Sequence, residues 1–208
     1  MIPTLPLRAR NRLAETILRA LVEPDARRTL GALAAGRLPV EEWLRREAAA
    51  HAGLLRTRAG EAVRALRRLG PPRPVSTLAV VLRAAAALFD AGLGFEVHEL
   101  LEPHWARAIG AEREILQGLI QIAVGYQHLA NGNLRGARAL LEEGSARLAG
   151  RRLADLDLDP FARAVAASCS RLDLEPGVVP RFPRSPRRAA PVAGPAAARR
   201  LGAARGVQ

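Results

Sequence analysis

Two stretches decide the fold of this 208-residue chain: residues 95–105 read FEVHELLEPHW, and residues 116–128 read LQGLIQIAVGYQH. Both have the helical spacing at which positions three, four and seven apart share a face. The connection between them is short and contains Gly110. A short connection favours antiparallel neighbours, so the sequence predicts a helical hairpin at the centre of the molecule.

Each helix of this hairpin carries polar residues where a packed helix would carry apolar ones. The candidate site residues share one face within each helix: Phe95, His98, Glu102 and Trp105 in the first, and Gln117, Gln121 and His128 in the second. Glu99 borders the face of the first helix. A buried polar group without a partner costs about 1–3 kcal/mol. We therefore expect a buried His/Glu/Gln cluster between the two helices, paired internally, with water or with an ion.

The composition predicts an all-α fold. Hydrophobic residues make up 49% of the chain but aromatic residues only 3%, so the core is built from Leu, Ala and Val. This composition suits close packing between helices rather than a β-rich fold. We expect a small antiparallel helical bundle with an N-terminal helical extension and a disordered basic C-terminal tail.

Proline-rich stretches divide the chain into segments. We predict an N-terminal helical segment over 1–72, a helical core domain over 75–150, a C-terminal helical segment over 151–175 and a tail over 176–208. The break at 71–74 contains three Pro residues, which is typical of a boundary. The tail contains six Pro, seven Arg and no acid, which predicts disorder.

The positive charge lies at the two ends of the chain. The net charge is +12, and Arg supplies every basic side chain because the sequence contains no Lys. Residues 1–70 carry 14 Arg against 7 acids, residues 71–150 carry 7 against 8, and residues 151–208 carry 11 against 5. A nucleic-acid partner would therefore have to contact the flanks rather than the core.

Other features indicate a cytoplasmic protein. The single Cys169 excludes an internal disulfide and suits a reducing compartment. The opening residues lack the basic and apolar regions of a secretion signal. Arg83 and Asp90 interrupt the most apolar stretch, residues 75–95, so we expect no membrane span.

The central motifs resemble a known family. Residues 88–92 (LFDAG), 95–102 with Trp105, 116–123, His128, and the pairs Gly132-Asn133 and Gly136-Ala137 occur in order. Over residues 82–148 the chain is similar to the bacterial and archaeal domain-of-unknown-function family numbered 309. The resemblance implies a small all-helical domain and marks the eight candidate residues as special positions. It implies no activity.

The same residues leave three functions open. The favoured one is a non-catalytic helical module whose polar cluster holds the fold or receives a small ligand or a protein partner. The alternative is a metal-dependent, hydrolase-like enzyme using His98, Glu99, Glu102 and His128. His98 and Glu102 are spaced i, i+4, and with His128 they would suit a divalent metal such as zinc or non-haem iron. A second alternative is a nucleic-acid accessory protein acting through its Arg-rich flanks.

Overall fold

The computed structural model describes residues 4–44, 49–172 and 178–184, and over these residues the predicted all-α fold is confirmed. The helices, in chain order, are α1 (Leu7–Arg19), α2 (Pro24–Ala34), α3 (Val40–Leu44), α4 (Ala52–Leu69), α5 (Leu78–Phe89), α6 (Gly94–Arg107), α7 (Gly110–Ala130), α8 (Leu134–Leu148) and α9 (Asp159–Cys169). A 3₁₀ turn at Ala49–His51 precedes α4.

The predicted central hairpin is formed by α6 and α7. Helix α7 packs against α6 on one side and α8 on another, while α5 packs on α6 and α9 on α8. The N-terminal helices α1, α2 and α4 pack on one another. They also reach the rest of the fold, because α1 contacts α6 and α4 contacts α5.

Local sequence explains where the central helices begin and how they continue. The Thr77 hydroxyl accepts a hydrogen bond from the backbone N–H of Val80, which caps α5 as an N-cap Thr should. Helix α6 continues through Pro103. Pro103 has no N–H, and it therefore offers no helical hydrogen bond to the carbonyl of Glu99.

Small residues let α7 and α8 approach closely. A Cβ built on Gly144 would lie 2.7 Å from Ile122 Cγ1, 2.9 Å from the carbonyl oxygen of Gly118 and 3.2 Å from the backbone nitrogen of Ile122. Gly118 faces the same crossing, 3.0 Å from the carbonyl oxygen of Gly144 by the same measure. Glycine is required at this crossing because the backbones themselves are in contact.

The alternating Leu and Asp residues after α8 form a miniature hairpin. Strand β1 (Arg152–Leu153) pairs antiparallel with β2 (Leu156–Asp157), and Ala154 in the turn has a φ of 51°. The alternation places Leu153 and Leu156 inward, at 5% and 4% exposure. Each strand is two residues long, so the pairing is short.

Residues 178–184, which lie near the start of the predicted C-terminal tail, pack against the helices. We call residues 178–184 the strap. Phe182 of the strap is 3% exposed and packs against Phe89 and Phe161, with ring centroids 5.5 and 5.7 Å away. The buried ring of Phe182 therefore holds this short part of the Pro- and Arg-rich region against the helices. The rest of the predicted tail, 185–208, lies outside the described residues.

Asp90, at the C-terminal end of α5, holds the strap in place. Its side chain is 1% exposed and accepts a hydrogen bond from the backbone N–H of Phe182 at 3.0 Å. Arg181 and Arg184 also donate to it. The buried carboxylate is therefore compensated by one amide and two guanidinium groups.

Within the described ranges, no helix is both long enough and apolar enough to cross a lipid bilayer. This agrees with the charges that interrupt residues 75–95.

Candidate functional site

Three of the predicted site residues lie together on α6. His98, Glu99 and Glu102 each offer one possible ligand atom, and these atoms lie within 4.8 Å of one another. The helix brings them together because residues three and four positions apart are neighbours on its surface. We call these three residues the α6 cluster.

The α6 cluster is only partly buried. The side chains of His98 and Glu99 are 28% and 37% exposed, and Glu102 is exposed. The prediction of a buried His/Glu/Gln cluster is therefore wrong for these three residues. Their helix turns Val97 and Leu101 into the core instead, both at 0% exposure, which leaves the charged side chains at the surface.

A hydrogen bond orients the imidazole of His98. Its Nδ1 lies 3.0 Å from Oε1 of Glu99. An ionised carboxylate can only accept, so Nδ1 carries the hydrogen, and in the neutral imidazole Nε2 then keeps its lone pair. This is the way in which a carboxylate prepares a histidine to bind a metal ion through its other nitrogen.

Aromatic rings flank the α6 cluster on both sides. Phe95 lies one turn before His98, with ring centroids 6.2 Å apart, and the guanidinium of Arg10 lies 4.0 Å from the Phe95 centroid. Trp105 lies beyond Glu102 with Arg113 at 4.0 Å over its ring, and Arg113 donates to the carbonyl of Trp105. These contacts restrain both ends of the surface that carries the cluster.

The indole nitrogen of Trp105 is buried and has no hydrogen-bond partner among the described residues. A buried donor without a partner is uncommon and usually has a reason, such as an ordered water or a bound group. It lies on the same helix as the cluster, three positions after Glu102.

The predicted residues of α7 do not join the α6 cluster. Gln121 is 8% exposed and points to α8, where its Nε2 donates to Glu143 at 2.7 Å and its Oε1 accepts from Arg147 at 3.1 Å. Arg147 also pairs with Glu114. The expectation that the polar faces of both helices meet across one interface is wrong for Gln121. Gln117 is half-buried on α7.

His128 has a different role from the one predicted for it. Its Nδ1 lies 2.7 Å from Nδ2 of Asn133, in the turn after α7, so this ring nitrogen accepts from an amide. Asn133 in turn accepts from the backbone N–H of Gly136 and caps α8. His128 therefore supports a helix connection, and the three-residue metal group contains Glu99 in its place.

Sequence reasoning missed Glu96 altogether. This carboxyl is 4% exposed, and burial is the main cause that raises its pKa above the ordinary value. It lies three positions after the buried Leu93 and one before the buried Val97. That placement on the inward face of α6 indicates a buried carboxyl, but the polar positions predicted from the sequence lie on the face that contains His98.

Comparison with known proteins matches one part of the chain. Residues 82–140 match the model of a family described as a domain of unknown function, DUF309. No curated protein and no solved structure matches the chain. The matched segment begins within α5, includes α6 and α7, and ends within α8, so it contains all eight candidate residues. The resemblance expected from the motifs is confirmed over residues 82–140, which lie within a longer helical chain.

Proposed function

We propose that this protein is a helical binding module that holds a divalent metal ion on α6. One observation carries the proposal: a histidine and two carboxylates place three ligand atoms within 4.8 Å of one another on accessible side chains. Nitrogen and carboxylate oxygen are ligands suited to zinc and to non-haem iron.

The distances are compatible with a single ion. Two atoms bound to one zinc ion at about 2.1 Å each lie about 3–4 Å apart. The cluster must therefore contract by about 1–2 Å around the ion, which partly exposed Glu and His side chains achieve by rotating about their side-chain bonds. Glu99 either binds directly or orients His98 through Nδ1.

An ion held by three side chains from one helix keeps positions open to solvent. A bound ligand could occupy them, and this is the basis for assigning a binding role. The alternative is a hydrolase-like enzyme, because three protein ligands with an open position are also the arrangement of catalytic zinc. Hydrolysis by the zinc-loaded protein, lost in the cluster variants, would favour the alternative.

Metal binding to the full chain tests the proposal. Isothermal titration with Zn²⁺, Fe²⁺ and Mn²⁺, with elemental mass spectrometry after dialysis, should give one equivalent of one of these ions. His98→Ala and Glu102→Gln should each abolish this binding. His104→Ala and Glu112→Gln are matched controls because both residues lie outside the metal group.

Two results would reject the metal proposal. One is an absence of binding for all three ions. The other is equal binding in His98→Ala and His104→Ala, which would mean that the ion is held elsewhere. Circular dichroism of each variant separates loss of a ligand from loss of the fold.

The Arg-rich flanks carry a weaker proposal of nucleic-acid binding. Arg181 and Arg184 already pair with Asp90, which removes two arginines from those available to phosphates. Binding through the remaining arginines would be independent of sequence and would fall steeply with salt. A protein partner at the α6 surface is the other form that the binding role could take.

A further inference from the structure

A cavity lies between α5, the hairpin of β1 and β2, and the strap. Its volume is about 360 Å³. Sites for small organic molecules in proteins have volumes of about 300–1,000 Å³, so this cavity is large enough for one. We call it the α5 pocket. Its lining includes no residue of the α6 cluster, so it is separate from the proposed metal site.

Buried apolar residues form much of the lining of the α5 pocket. Leu82 and Ala86 of α5 and Leu156 of β2 are 3%, 1% and 4% exposed. Val80 and Pro183 add further apolar surface. A ring or short hydrocarbon chain that covers this surface leaves water favourably.

Three guanidinium groups from different parts of the chain line the same cavity. Arg73 precedes α5, Arg83 belongs to α5, and Arg184 belongs to the strap. Arg73 donates through Nη2 to the carbonyl oxygen of Leu69 at 3.3 Å, and Arg184 donates to Asp90. A guanidinium has five N–H donors, so both groups are held in place and still keep donors for a ligand.

Arg83 is the most informative of the three arginines. It is the one charged residue in the sequence of α5, and its neighbours on the helix are Leu82 and Ala84. Among the described residues, its side chain has no hydrogen bond and no ion pair. The five donors of Arg83 are therefore available to a bound group beside the apolar lining.

The charge of the lining favours an anion with two negative charges. Three arginines and Asp155 give the lining a net charge of +2. Asp90 and Arg181 lie just behind Arg184 and pair with each other, so they leave this balance unchanged. A phosphate monoester carries a charge of about −1.5 to −2 near neutral pH. The planar fork of arginine also matches the oxygen atoms of a phosphate.

We propose that the α5 pocket binds a small phosphate monoester with an apolar body, with Arg73, Arg83 and Arg184 around the phosphate. A carboxylate has only one negative charge and satisfies this lining less well. Inorganic phosphate has the charge but leaves the surface of Leu82, Ala86 and Leu156 uncovered. The phosphodiester of a nucleic acid has one charge at each phosphate and is also the poorer match.

Calorimetric titration of the full chain with phenyl phosphate, after chelator treatment and dialysis, tests the proposal. Benzoate, inorganic phosphate and benzylamine are the comparison ligands, and phenyl phosphate should bind most tightly. Arg83→Gln should weaken its binding by about tenfold or more, because a charge-assisted hydrogen bond is lost. Arg135→Gln is the matched control, since it removes the same charge from an exposed position of α8 outside the lining, and it should leave the affinity unchanged.

Asp155→Asn provides a second measurement with the opposite sign. Removing the one negative charge of the lining should tighten the binding of phenyl phosphate by about two- to fivefold, with a smaller gain at high salt. Asp155 has no hydrogen bond or ion pair among the described residues, so the substitution removes repulsion without removing a contact. His98→Ala should bind phenyl phosphate normally, so a failure of this proposal is distinguishable from a failure of the metal proposal.

Four results would overturn the assignment of the α5 pocket. They are no binding of phenyl phosphate at millimolar concentration, equal affinities in Arg83→Gln and Arg135→Gln, weaker binding in Asp155→Asn, and binding of benzoate or inorganic phosphate as tight as that of phenyl phosphate. A short single-stranded oligonucleotide that binds more tightly than phenyl phosphate, and depends on Arg83, would likewise replace the small ligand by a nucleic acid.

Discussion

Replacing Gly144 by Ala tests whether the backbones of α7 and α8 are truly in contact. The added Cβ would lie 2.9 Å from the carbonyl oxygen of Gly118, whereas ordinary contact begins at 3.4 Å. The same Cβ meets the backbone nitrogen of Ile122 at 3.2 Å, so rotation of one side chain cannot relieve the crowding. The two helices must separate by about half an ångström, or the core must absorb the difference.

Two opposing effects set the expected magnitude. Overpacking of a close interface costs about 1–3 kcal/mol. Alanine also favours a helix over glycine by about 0.5–1 kcal/mol, which offsets part of that cost. We therefore expect Gly144→Ala to lower the free energy of unfolding by about 1–2 kcal/mol.

Gly31→Ala is the matched control for this substitution. Gly31 lies inside α2, and a Cβ there would meet no atom within 4 Å. Only the helix preference remains, so we expect Gly31→Ala to raise the free energy of unfolding by about 0.5–1 kcal/mol. Urea unfolding followed by far-ultraviolet circular dichroism measures both variants on the same scale.

The two substitutions test the crossing because they are expected to change the free energy of unfolding in opposite directions. If Gly144→Ala is as stable as Gly31→Ala, the α7–α8 crossing is not a backbone contact, and the geometry described for it is wrong. A loss in both variants would instead mean that glycine is needed for reasons unrelated to crowding. A thermal scan should agree, with a shift of about 2–4 °C for each kcal/mol in a chain of this size.

The strap and the single tyrosine give two further predictions. Phe182→Ala should lower the free energy of unfolding by about 2–3 kcal/mol, somewhat below the cost at a fully enclosed core position. Val178→Ala, at an 86% exposed position, should change this free energy by less than about 0.5 kcal/mol. Equal urea midpoints for the two variants would contradict the docking of the strap. Burial raises the pKa of Tyr126 to about 12. The phenolate absorbance should therefore appear with a midpoint near this pH in the native protein, and with a midpoint at about pH 10 after unfolding. Because the raised pKa favours the neutral phenol in the folded state, this contribution to stability is complete below about pH 10 and is lost as pH rises toward 12. A native midpoint near the unfolded value would show that the phenol is not buried.

The helical hairpin and its motifs were predictable because they depend on local spacing. The i, i+4 spacing of His98 and Glu102 placed them on one side of α6, and the structure brings Glu99 into the same group. Helical spacing does not determine which neighbouring helix a given face contacts, however. Helix α7 contacts both α6 and α8, and Gln121 turns to Glu143 and Arg147 rather than to His98.

Long-range contacts account for the other differences. Phe182 stands in a Pro- and Arg-rich stretch, and its burial depends on Phe89 and Phe161, which are distant in the sequence. The exposure of Glu102 and the burial of Glu96 depend on how α6 is rotated about its own axis. The packing of α1, α5 and α7 around α6 sets that rotation, and no single helix encodes it.

The strap also makes hydrogen exchange a local probe of this fold. The amide of Phe182 is protected by a single acceptor, Oδ1 of Asp90, which lies 92 residues away in the sequence. Opening of the strap frees this amide without requiring any helix to unfold. Its exchange with deuterium therefore follows the local opening free energy, while amides within α7 follow rarer and larger openings. The strap and α7 thus open at different rates, and isotope exchange can time each of them separately.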